Sequence, residues 1–154
     1  MDHEPVPDAA RRVVQRLALQ PHPEGGWFRE THRSAVILPR HALPPGHAGD
    51  CPAVTSILFL LAAGQRSRPH RIQSEELWLH HQGDDLRLEM GESPGLERPR
   101  RIVLGQGEKA ELQAVVPRRW WQAAGALPGP CGYALVACVV APGFEFADFE
   151  MAEG

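Results

Sequence analysis

The chain has 154 residues, 43% hydrophobic and 23% charged, which suits one globular domain with a sizeable core and leaves no length for a second. A formal net charge of -3 with mixed signs gives no basic stripe, which excludes the electrostatic footprint of a nucleic-acid binder. No apolar run approaches the ~20 residues that span a bilayer, no apolar leader opens the chain, and Cys51, Cys131 and Cys138 lack C-x-x-C spacing, so a soluble cytoplasmic protein is expected.

Residues 1–7 read as a disordered lead and residues 8–154 as the single domain. From Asp8, a candidate N-cap, Ala10, Val13, Val14 and Leu17 recur at helical spacing with Arg11, Arg12, Gln15 and Arg16 opposite, predicting one short amphipathic helix. Pro21-His22-Pro23-Glu24-Gly25-Gly26 must bend, since two prolines remove donors and two glycines permit positive φ. Residues 27–33 then alternate as a strand, and Glu24 or Glu30 is a candidate for lining a pocket mouth. Residues 39–52 carry four prolines and little apolar material, so they read as a long loop, either a lid or a partner-binding arm.

Residues 53–62 form a nearly continuous apolar strand, and further strands are expected at 86–90, 101–104, 112–116, 120–124, 133–141 and 144–151. Many short strands punctuated by Gly, Pro and Asp predict an all-β antiparallel sandwich or barrel.

The stretch from Gly64 to Gly83 concentrates the ionisable groups. Pro69 forces an extended entry, so His70-Arg71-Ile72 should be a short strand, turning through residues 73–75 into a second strand at 76–81. Alternation then lets His70 and Ile72 share a face with Glu76, Trp78 and His80 across a hairpin, placing an imidazole and a carboxylate on one wall. His80 lies roughly 13 Å along the strand from Glu76, and His81 points to the opposite face.

Gly64, His70, Glu76 and Gly83 fit the spacing of the first motif of the cupin superfamily, with Ile72 standing where a second histidine belongs. In the second motif Pro117 fits, while Arg119 replaces the glycine and Gln122 the histidine. Residues 17–34, 55–61, 115–124 and 139–150 resemble a small cupin family of the Cupin_5 type, known as a domain of unknown function. That resemblance implies a cupin jelly-roll β-barrel with one short N-terminal α-helix, a closed pocket and a homodimer. It also carries over a reduced set, His70, Glu76 and Gln122, in place of the superfamily's three histidines and one glutamate.

Three chemistries follow for those residues. With an imidazole missing, no cofactor is expected; a divalent transition metal on His70, Glu76 and Gln122, serving an oxygenase or lyase, is the alternative. Without metal, His70 can act as base with Glu76 orienting its ring and Gln122 donating to a carbonyl oxygen, as in epimerase-type cupins. Without catalysis, Trp78 and Trp121 with Glu24 and Glu30 make a binding pocket for a small polar molecule, sugar-like or carboxylate-bearing.

Overall fold

The structure, a computed structural model, describes residues 6–153. Residues 1–5 of the expected lead lie outside the described residues, while Val6 packs beside the helix and Pro7 precedes its first turn. Helix α1, Asp8–Arg16, forms where the apolar periodicity places it. Asp8 is its first residue and not a side-chain cap; its carboxylate lies 3.7 Å from Arg11, at the end where a negative charge suits the helix dipole. Among the described residues no helix is long and apolar enough to cross a membrane.

The strands are β1 (Gln20–Pro21), β2 (Trp27–Arg33), β3 (Ile37–Leu38), β4 (Cys51–Pro52), β5 (Thr55–Ala62), β6 (His70–Arg71) and β7 (Glu75–Gly83). They continue with β8 (Leu86–Gly91), β9 (Arg100–Leu104), β10 (Gln113–Val116), β11 (Trp121–Ala126), β12 (Tyr133–Ala141) and β13 (Glu150–Met151). One sheet runs β1-β2-β5-β12-β7-β10 and the other β13-β6-β11-β8-β9, with β3 and β4 paired in a side loop. The two sheets make the jelly-roll barrel that the sequence predicts.

Burial explains the sequence patterns. β7 alternates, with Glu76, Trp78 and His80 buried and Leu77 and His81 exposed. β5 and β12 do not alternate cleanly, because Ala10 and Val13 of α1 cover Leu60, Ala62 and Leu135 on the outer face. Between the sheets Phe59, Leu61, Trp78, Leu86, Leu88, Met90, Leu104 and Val136 fill one end of the barrel. At about 1.5–3 kcal/mol for each large side chain fully buried, that end stabilises the fold. The other end carries buried Glu24, His70 and Glu76, whose desolvation opposes folding unless they satisfy one another.

Two expectations change. His70 and Glu76 do not share a hairpin: β6 lies in the five-stranded sheet and β7 in the six-stranded one, so the turn between them crosses from sheet to sheet. The corner is held by Arg119 N–H donating to the Ile72 carbonyl at 3.0 Å. Residues 144–151 are not one strand; a 3-10 turn at Phe146–Asp148 intervenes before the two-residue β13. That segment is tied elsewhere, with Phe144 N–H donating to Thr55 Oγ1 at 2.9 Å and Arg33 reaching Glu145 at 3.0 Å. The 39–52 loop holds a 3-10 turn at Arg40–Ala42 and is fastened to the same segment, Ala48 N–H donating to Asp148 Oδ1 at 2.7 Å.

Candidate functional site

The polar end of the barrel holds a cavity of about 70 Å³ that opens to solvent at its mouth. His70, Glu76, Trp78, Glu24 and Glu30 all line it.

Glu24 reaches the floor because of the bend before β2. Gly25 and Gly26 have φ of +107° and +78°, and a Cβ on Gly26 would lie 2.8 Å from the Leu60 carbonyl oxygen. Only glycine lets the backbone run this close to the barrel wall. The Glu24 carbonyl accepts the Arg68 N–H at 2.7 Å, which locks the bend to the segment entering β6. In consequence Glu24 Oε2 sits 2.8 Å from His70 Nδ1.

His70 Nδ1 also lies 2.9 Å from the Arg68 carbonyl. Nδ1 thus faces two acceptors, the Arg68 carbonyl and Glu24 Oε2, and carries a hydrogen that lies between them. Burial alone would lower the His70 pKa. Glu24, then Glu76 and the Arg68 carbonyl outweigh burial and raise it to about 9. Burial, with Glu24 nearby, pushes Glu76 up to about 7 against the pull of His70, Gln122 and Trp78. The carboxylate that orients His70 is therefore Glu24, a role the sequence reading gives to Glu76.

Gln122 is paired in register with His70 and fully buried, yet it stands behind the cavity wall, its Oε1 accepting the Trp78 indole N–H at 2.9 Å. Trp121, the adjacent residue on β11, points outward; it packs on Leu96 and Ala123, with the Arg71 guanidinium 4.9 Å from its ring centroid. Trp120 packs against the main core instead. His80 is set apart as expected, its Nε2 2.8 Å from the Asp84 carbonyl and its Nδ1 2.9 Å from Gln106 Nε2.

A metal held by His70, Glu76 and Gln122 does not fit this donor set. The amide oxygen of Gln122 is engaged by Trp78, Ile72 fills the wall where a second imidazole would stand, and among the described residues no three His, Cys, Asp or Glu side chains converge as ligands.

Sequence reasoning missed His22 and the aromatic wall. His22 Nδ1 accepts the Glu24 N–H at 3.1 Å, so its ring hydrogen is on Nε2, and burial lowers its pKa despite Glu24. The ring meets Phe28 edge-on at 4.6 Å. Phe149 stacks on His70 at 5.4 Å and 27°. Phe144 and Phe146 complete the mouth beside Arg33, which is paired with Glu30 at 2.9 Å. The signal for His22 was its position two residues before Glu24 on one bend; the three phenylalanines were masked by reading their segment as a strand.

A double-sheeted barrel with a polar, ionisable cavity at one end defines a cupin. The sequence model of the family described as Cupin superfamily (DUF985), Cupin_5, matches residues 11–152, and the chain belongs to that family. A hypothetical protein from Leishmania major is similar at 33% identity and a TM-score of 0.79, covering 92% of this chain and 85% of that one. A protein from Shewanella oneidensis is similar at 33% identity and a TM-score of 0.76, covering 92% and 83%. Oxalate decarboxylase from Bacillus subtilis shares the fold at 17% identity and a TM-score of 0.57, covering 86% of this chain and 29% of that one. No curated protein matches the sequence.

Proposed function

We propose that the barrel cavity binds a small molecule and performs an isomerase-type proton transfer on it, with Glu76 as base and His70 as acid. The observation that carries this is a carboxyl held at about 7 on the cavity wall beside an imidazole held at about 9. The roles are exchanged relative to the sequence reading, because a group at about 9 is already protonated at neutral pH. The Glu76 carboxylate would take a proton from a carbon next to a carbonyl, and the C–H electron pair would move onto the carbonyl oxygen as an enolate. His70, its Nδ1 held by Arg68 and Glu24, would meet that oxygen through Nε2–H. The protonated Glu76 then returns the proton to carbon, so no other reactant is consumed.

Of the two ligand types, a polyhydroxylated sugar would find few polar partners along Phe28, Ile57, Phe59, Ile72 and Phe149. Deuterium incorporation into small carbonyl compounds in heavy water, followed by NMR, tests the reading. Glu76→Gln should lower the exchange rate at least ~100-fold with the fold retained. Exchange at the wild-type rate in that variant would remove Glu76 as the base.

We also infer a homodimer through the outer face of the six-stranded sheet. Leu77 and Val115 are in register on β7 and β10, 37% and 46% exposed, next to the open edge that β10 leaves. Val115→Asp should convert a dimer to a monomer in size-exclusion chromatography with light scattering; a monomeric wild type at tens of micromolar defeats the inference.

A further inference from the structure

We propose that the ligand of this cavity is a small protonated amine, held by an aromatic wall and by the carboxylates of Glu24 and Glu76. This rests on the reading of the cavity as the ligand site and goes on to name what enters it.

The charge balance of the cavity is the first argument. Among the described residues, Glu24, Glu30 and Glu76 line it and Glu145 reaches Arg33 at its mouth, against two cations, His70 and Arg33. Both cations are engaged already: His70 lies 2.8 Å from Glu24, and Arg33 lies 2.9 Å from Glu30 and 3.0 Å from Glu145. Among the described residues, an entering carboxylate or phosphate would find both cations engaged and two buried carboxyl groups, Glu24 and Glu76, an unfavourable exchange for its hydration. A cation would find the opposite.

The wall is the second argument. Phe28, Phe59, Trp78 and Phe149 line the cavity together with the carboxyl groups, Phe59 meeting Trp78 edge-on at 6.0 Å and Phe149 stacking on His70 at 5.4 Å. Aromatic faces attract a desolvated ammonium through their quadrupoles while offering a neutral hydroxyl nothing comparable. An ammonium also brings N–H donors for the Glu24 and Glu76 carboxyl groups, which are buried in the cavity wall. The cavity volume of about 70 Å³ limits the skeleton to a few carbons. A substrate for the proton transfer would carry its ammonium and its carbonyl on one such skeleton.

The test compares three probes of matched size, butylammonium, 1-butanol and butyrate, by NMR titration of the intact protein at pH 7. Butylammonium should bind at least about tenfold more tightly than either of the others. Its binding should release protons, seen by calorimetry in buffers of different ionisation enthalpy, because a cation beside Glu76 expels the proton that burial keeps on it. Glu76→Gln should weaken butylammonium about tenfold and leave 1-butanol unchanged. Tighter binding of 1-butanol or butyrate overturns the amine assignment while keeping the cavity as a ligand site. Failure of all three to bind at tens of millimolar overturns both. The wild-type series decides the matter even where a variant fails to fold.

Discussion

His70→Gln is expected to destabilise the protein by about 3–5 kcal/mol at pH 7, the range for removing one partner of a buried ion pair. Glutamine fills similar volume and can still donate a hydrogen bond, so the loss isolates charge from packing. Glu24 and Glu76, 5% and 8% exposed, would be left in the same low-dielectric space without the imidazolium between them. Each would then have to take up a proton or remain an uncompensated buried charge. The double variant His70→Gln, Glu24→Gln removes both charges of the closest pair and should regain at least about 2 kcal/mol over the sum of the single changes. Urea unfolding of the four proteins in the cycle measures this. A His70→Gln cost below about 1 kcal/mol, or strict additivity, would show that the pair contributes little.

Stability should also fall as pH rises from 5 to 9, opposite to the usual behaviour of salt-bridged carboxylates. The folded state raises His70 from 6.5 to about 9, so its contribution is complete below 6.5 and is lost as pH climbs through 9. It raises Glu76 from 4.5 to about 7, so folding favours the protonated carboxyl and that advantage is complete below 4.5 and lost as pH climbs through 7. Both groups make the folded state bind more protons than the unfolded one, so the two slopes share a sign. Each amounts to the order of 3 kcal/mol taken alone, and the field they share keeps the total below the sum. The other titratable groups facing them are His22, whose lowered pKa works the other way below pH 6.5, Glu24, and Cys138, whose thiol burial pushes up so that it adds to the fall only at the alkaline end. Denaturant midpoints at half-unit steps of pH give the curve. A flat or rising profile between pH 6.5 and 9 would contradict the geometry, and Glu76→Gln should remove the part below pH 7.

What the sequence disclosed was local. The resemblance carried by Gly64, His70, Glu76 and Gly83 put His70 and Glu76 at one cavity, although not through the hairpin the local pattern suggested, and alternation along β7 separated His80 from His81. The apolar run of β5 and the helical spacing of α1 were equally readable, since each is a pattern within one element. What escaped was long-range or a matter of phase. Glu24 was placed at the mouth, yet its pairing with His70 depends on a glycine bend docking against β5, which no spacing encodes. Trp120 and Trp121 are adjacent, so period two predicts that they part but not which turns inward; burial of Gln122 settles the phase and sends Trp121 outward. Phe144 and Phe146 alternate like strand residues, although the segment is fastened by Arg33 and Thr55 instead of by a sheet partner.

The order of the six-stranded sheet carries a cost during synthesis. β5 pairs on one side with β2, which precedes it closely, and on the other with β12, made about 70 residues later; at 5–20 residues per second that is an interval of several seconds. Throughout it, Thr55–Ala62 stands on the ribosome as an apolar strand with one unpaired edge, beside a half-built barrel. The same arrangement gives the finished chain many contacts between residues distant in sequence, which slows refolding. This barrel therefore closes only with its last long strand, and until then α1 covers one face of its most apolar segment while the free edge waits for β12.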